Sequence, residues 1–171
     1  RNADKPATRA KIRFALAGYL YGAEPKRALE IMQESYKPEL IFAPGDLDLL
    51  VTSQLNDAKL EDAQQVLDKM RSDYPAKEGV PPHQLASEVQ EAQAAYLFGM
   101  GRIAQLQGKV DVAGKYFEQL KKEYPRSPKI LEANYGIAVS LRAEGKADEA
   151  LPILVQIIRA QTATPDLKAN S

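Results

Sequence analysis

Three stretches of the chain read alike when the sequence is laid against itself: LEDAQQVLDKMRSDYP from Leu60, KVDVAGKYFEQLKKEYP from Lys109 and KADEALPILVQIIRAQ from Lys146. Each has a charged start, a small alanine, and bulky residues four and seven positions further on, namely Ala63, Leu67 and Met70, then Ala113, Phe117 and Leu120, then Ala150, Leu154 and Ile157. That spacing places the three on one stripe of an α-helix. A fourth stretch, EPKRALEIMQESY from Glu24, supplies Ala28 and Met32 before Ser35 breaks the pattern. Such a repeat constrains the fold more than composition does, because a single repeated unit cannot bury its apolar face alone and must stack on its neighbours.

Upstream of each stretch lies another amphipathic segment that ends in a turn signal: 12–21 before Gly22, 47–55 before Asn56 and Asp57, 97–106 before Gly108, and 134–141 before Gly145. The unit is therefore helix, tight turn, helix. The key alanines are 35 apart (28 to 63), 50 apart (63 to 113) and 37 apart (113 to 150). A module of about 34 residues thus repeats, with an insert of about 16 in the middle. The insert is the proline-rich stretch from Ala76 onward.

These residues resemble the tetratricopeptide-repeat family. In the third repeat Gly101, Gly108, Ala113, Phe117 and Pro125 stand where that family places its small residue, turn glycine, small alanine, aromatic and terminal proline. In the fourth, Ala138, Gly145 and Ala150 match, with Thr162 in place of the proline; the second keeps Ala63, Leu67 and Pro75 but has Ala58 for glycine; the first matches mainly at Tyr19 and Ala28. The resemblance implies an all-α fold, a right-handed α-α superhelix of about four helical hairpins. The expected organisation is a flexible flank over 1–8, a single array over 9–164 with repeats at 9–42, 44–77, 94–127 and 131–164, an insert and helix extension at 78–93, and a flexible tail over 165–171. Small side chains at Gly101 and Ala138, answered by Ala113 and Ala150, are expected to let the two helices of a hairpin approach closely. No proline interrupts 83–107, and apolar positions recur at Leu85, Val89, Ala92, Tyr96, Met100 and Ile103. The first helix of the third repeat is therefore expected to be elongated to about 24 residues, roughly 36 Å, and to project from the stack or cover the seam between repeats two and three.

Composition leaves little room for chemistry. Lys plus Arg number 23 and Asp plus Glu 23, so no global field draws the chain to nucleic acid. There is no cysteine and His83 is the only histidine, which removes thiolate sites and leaves that histidine without a partner ligand; no catalytic, metal or cofactor residue is assigned. Gly99, Gly101 and Ala104 spell G-x-G-x-x-A, but a dinucleotide fingerprint needs a preceding strand and a turn opening a helix, and these lie inside a helix. Lys121, Lys122, Arg126 and Lys129 cluster at a helix end, where cations complement the dipole. No stretch approaches the roughly 20 apolar residues of a membrane-spanning helix. The chain begins at Arg1 without a methionine and reads as a processed form or part of something longer.

The family register implies that the first helices of the hairpins line a concave groove. The candidate partner-binding residues there are Arg13, Phe14, Tyr21, Leu49, Phe98, Arg102, Tyr135 and Arg142, a set rich in the aromatic and arginine side chains that dominate binding hot spots. Ala17, Leu49 and Gly99 occupy positions where the family's carboxylate clamp needs polar or basic groups, so a clamp co-chaperone is not expected. The last helix is apolar on two sides, with Leu151, Leu154, Val155 and Ile158 on one and Ala150, Ile153 and Ile157 on the other. Ile153 and Ile157 are expected to form an assembly face meeting a further repeat, a second copy or a partner, and Pro152 to interrupt the helix near its start. The implied function is that of a non-enzymatic scaffold binding a peptide or helical segment of another protein in the groove, without nucleic acid, cofactor or membrane insertion. The alternative is a structural or self-assembling segment of a larger repeat protein. The endings DYPAKEG and EYPRSPK are similar to those of bacterial cell-envelope members of the family, which implies an envelope or periplasmic location.

Overall fold

The structure, a computed structural model, describes residues 4–162. Among the described residues there are eight α-helices and no strand. The helices fall into two compact units, Arg1–Gly99 and Met100–Ser171. Helix α1 begins at Asp4, so residues 4–8, expected in a flexible flank, are already helical. Residues 1–3 and the tail 165–171 lie outside the described residues.

The first unit holds α1 (Asp4–Leu20), α2 (Pro25–Ser35), α3 (Pro44–Asn56), α4 (Leu60–Asp73) and the first part of α5 (Ser87–Leu106). Pro25 and Pro44 open α2 and α3, where the missing N–H would have had no partner and the fixed φ suits a helix. The repeated stripe is the core: Ala28, Met32, Ala63, Leu67 and Met70 are all fully buried. Ser35, where the pattern breaks, is buried with them at 4% exposure. Gly18 of α1 leaves room for the Asp46 carboxylate of α3, which would lie 2.6 Å from a β-carbon there. Burial raises the Asp46 carboxyl above its ordinary range, and the charge of Glu91 pushes the same way.

Helix α5 is shorter than the sequence predicts. It runs 20 residues, because Pro82–Gln84 form a separate 3-10 turn and Leu85 after it is extended. The amide of Gln90 donates to the Leu85 carbonyl at 2.8 Å and fixes that break. The extra turns do not project: Ala92, Ala94 and Ala95 are buried, and the Gln93 amide donates to the carbonyl of Tyr74 at 2.7 Å, just past the end of α4. Tyr96 receives a bond from Arg71 at 3.1 Å, with the guanidinium 4.8 Å from the ring centroid.

The second unit holds the rest of α5, then α6 (Val110–Glu123), α7 (Ile130–Ala143) and α8 (Ala147–Thr162). Ala113, Phe117 and Leu120 are fully buried. Gly101 lets α6 approach as the sequence predicts, and the side chain it receives is Phe117; Gly136 of α7 receives the same ring, and a β-carbon on either would come within 3.0 Å of it. Gly99, within the first unit, does this for Leu67 of α4, whose Cδ1 would lie 2.6 Å away. Both glycines of the G-x-G-x-x-A string are thus packing positions. Pro152 sits inside α8 without ending it.

Three hairpin turns share one geometry. Lys59, Lys109 and Lys146 donate their N–H to the carbonyls five residues back, Gln54, Ala104 and Leu141, at 2.8, 2.9 and 2.9 Å. Before each lysine stands a left-handed residue, Ala58 at φ 57, Gly108 at φ 73 and Gly145 at φ 78. This closure satisfies carbonyls orphaned at the helix end and favours glycine, since a side chain in that conformation costs about 1–2 kcal/mol. Ala58→Gly should therefore stabilise the chain by about 1 kcal/mol despite the looser unfolded state, measured as a higher urea midpoint with an unchanged slope. A lower midpoint would mean that the strain at Ala58 is relieved elsewhere.

Candidate functional site

In the second unit, the C-terminal turns of α5 and the body of α7 share a surface. Arg102 donates to the side-chain oxygen of Gln105 at 3.2 Å, and the Gln105 amide donates to the backbone carbonyl of Gly136 at 3.5 Å. That chain of bonds ties the two first helices together and turns the half-buried Arg102 along the surface. Tyr135 follows on α7 at 57% exposure. Exposed Arg142 lies seven residues on, two turns along the same face. Leu131, one turn before Tyr135, and Leu106, one turn after Arg102, are exposed beside them.

Of the residues expected in the groove, this unit therefore presents Arg102, Tyr135 and Arg142. Leu106 and Leu131 were not expected, although an apolar residue four positions from Arg102 or from Tyr135, on a side otherwise polar, was the available signal. Phe98 does not line an open surface: it is 8% exposed.

In the first unit the corrections are larger. Phe14 is fully buried, its ring 4.4 Å from that of Phe42 and 6.3 Å from that of Tyr36. The segment after α2 folds back and covers it, so the aromatic expected to wait for a ligand already has its partners. Arg13 is exposed and pairs with Glu34 at 3.0 Å, an open ion pair of the kind that contributes little to stability. Tyr21 and Leu49 are half-buried on α1's end and on α3.

The expected assembly face is also on the wrong side of α8. Ile157 is 8% exposed, Ala150 is 1% exposed and Ile153 is half-buried. The uncovered side carries Leu151, Val155 and Ile158 at 62%, 37% and 60% exposure. Among the described residues no group of His, Asp and Glu is placed to hold a metal ion, and no helix is long and apolar enough to cross a membrane.

Residues 89–127, from the third residue of α5 to four residues past the end of α6, match the family model for the tetratricopeptide repeat. That stretch of the chain is a tetratricopeptide repeat. The matched tetratricopeptide segment contains Gly101, Gly108, Ala113, Phe117 and Pro125, and so one side of the clamp on Phe117, while Gly136 on the other side lies beyond it. No curated protein and no solved structure matches the chain. The tyrosines of the two tyrosine–proline endings have local structural roles: the Tyr74 hydroxyl donates to the Phe42 carbonyl at 2.9 Å, and Tyr124 is buried at 7% exposure.

Proposed function

We propose that this chain is a non-catalytic protein-interaction scaffold, and that the α5–α7 surface of its second unit docks a segment of another protein. The observation that carries this is Tyr135: a large aromatic more than half exposed, between arginines on helices held together by the Gln105 bond. Tyrosine and arginine are the side chains that bury area or make charge-assisted bonds at low ordering cost. Leu106 and Leu131 supply apolar area beside them, and the arginines select a segment with acidic residues.

The test is capture of a partner by the intact chain, followed by calorimetric titration of variants. Tyr135→Ala and Arg102→Ala should each weaken binding by at least about 2 kcal/mol, roughly thirtyfold, with the melting temperature of Tyr135→Ala unchanged. Undiminished binding in both variants would remove this surface from the interaction.

A second reading has its own observation. The stripe of Leu151, Val155 and Ile158 on α8 is the kind of face that a structural or self-assembling segment would cover. Light scattering across a concentration series separates the two, since a scaffold awaiting a foreign partner keeps its mass and a self-assembling one grows.

A further inference from the structure

We propose that the outer face of α1, together with the cleft it forms with the end of α2, is a second docking surface, and that its occupant is an acidic amphipathic segment of another protein. It is separate from the α5–α7 surface, and either can fail without the other.

The inner side of α1 is settled: Phe14 and Ala17 are fully buried. On the opposite side Ile12, Leu16 and Tyr19 follow one another at i, i+4 and i+7, exposed by 54%, 55% and 87%. Lys5 and Arg9, at i and i+4, continue that face toward the start of the helix, and Arg13, one turn after Arg9, stands on its flank toward Glu34 of α2. α1 has four cations, Lys5, Arg9, Lys11 and Arg13, against the single acid Asp4, in a chain whose overall charge is +0. The outer face is thus cationic at one end and apolar at the other.

The cationic end is concave. A cleft of about 270 Å³ opens there, lined by Lys5, Arg9 and Arg13 of α1 and by Glu34, Ser35 and Lys37. Glu34 answers Arg13; among the described residues no ion pair is seen for Lys5, Arg9 or Lys37. Ser35 is 4% exposed, and its hydroxyl is buried without a hydrogen-bond partner. The cations without an ion-pair partner at the cleft are the groups that an incoming carboxylate would answer.

The shape of the charge selects the occupant. Lys5 to Arg13 spans two turns, roughly 12 Å along the axis, which fits several carboxylates spread along a segment better than one phosphate. The stripe that follows holds one aromatic, Tyr19, beside Ile12 and Leu16, fewer than the succession of rings on which a single strand stacks its bases, and it asks for apolar side chains one or two turns beyond the acids. A cleft that admits a side chain is also a poorer match to the flat surface of an anionic bilayer.

The test is selection of peptides from a random displayed library on the intact chain, then titration of the enriched peptide. Enriched sequences should place aspartate or glutamate within two turns of leucine or phenylalanine. Arg9→Glu combined with Lys37→Glu should weaken the selected peptide roughly tenfold or more, as should Leu16→Ser, and added salt should weaken it progressively. All three positions are exposed, so unchanged far-ultraviolet circular dichroism is expected and is checked in each variant. Tyr135→Ala should leave this peptide's affinity unaltered, which separates the surface from the one on α5 and α7. The proposal is overturned by a selection without acidic enrichment or by binding indifferent to the charge reversals. It is equally overturned if the same variants abolish binding to phosphatidylserine vesicles while no peptide is enriched, or if Leu16→Ser instead abolishes self-association in sedimentation.

Discussion

Phe117→Ala is expected to cost about 3–5 kcal/mol of stability, the range for deleting a fully buried aromatic whose cavity cannot collapse. The ring is fully buried and stands against Gly101 on α5 and Gly136 on α7, each too close to accept a β-carbon. Neither helix can move in to fill the void without dragging its own buried residues, among them Ile103 and Ala138. The reciprocal experiment is sharper. Gly136→Ala gains about 1 kcal/mol of helix propensity but drives a methyl into a rigid ring that has Gly101 on its other flank, an overpacking cost of about 1–3 kcal/mol. In the natural background the substitution should therefore be neutral to destabilising. Once Phe117→Leu has made room, Gly136→Ala should become stabilising, and denaturant melts of the four proteins should give a coupling of about 1–3 kcal/mol. Additive effects would mean that the ring moves aside freely and that the glycines are not there for its sake.

That clamp also shows where the sequence is legible and where it is not. The stripe of alanine and bulky residues at i, i+4 and i+7 marks its own buried face, because a helix that must stack repeats its contacts in register; Ala63, Leu67, Ala113 and Phe117 are buried accordingly. Gly101 is legible for the same reason. Gly136 is not, since nothing in its own helix tells which side chain of α6 will arrive there. The surface residues divide similarly. Tyr135 and Arg102 stand on the expected helices, but Phe14 is taken out of reach by Tyr36 and Phe42, which lie outside any helix and have no periodic signal. The cleft at Lys5 and Arg9 is not legible because the short polar start 1–8, which holds Lys5, reads as fraying, whereas residues 4–8 form the first turn of α1.

The neighbours Ile157 and Ile158 should respond oppositely to the same substitution. The stripe rule places Ile157 with Ala150 and Leu154, and the structure buries it at 8% exposure while Ile158, a hundred degrees around the helix, is 60% exposed. Ile157→Glu puts a carboxylate on the buried side of α8, which carries Ala150 and packs against α7. It should cost about 3 kcal/mol or more, read as loss of the last hairpin's melting transition or of the whole fold. Ile158→Glu removes exposed apolar area and adds a charge next to Arg159, so the melting temperature should stay within a degree or two, because surface changes away from packed features are worth about 0.5 kcal/mol or less. What Ile158→Glu should change is association: with Leu151→Glu it breaks the apolar stripe, and any concentration-dependent growth of the chain that uses α8 should disappear while the fold persists. If the two variants melt alike, α8 is not held in the packing described above; if Ile158→Glu with Leu151→Glu leaves an observed assembly intact, the contact lies on another face.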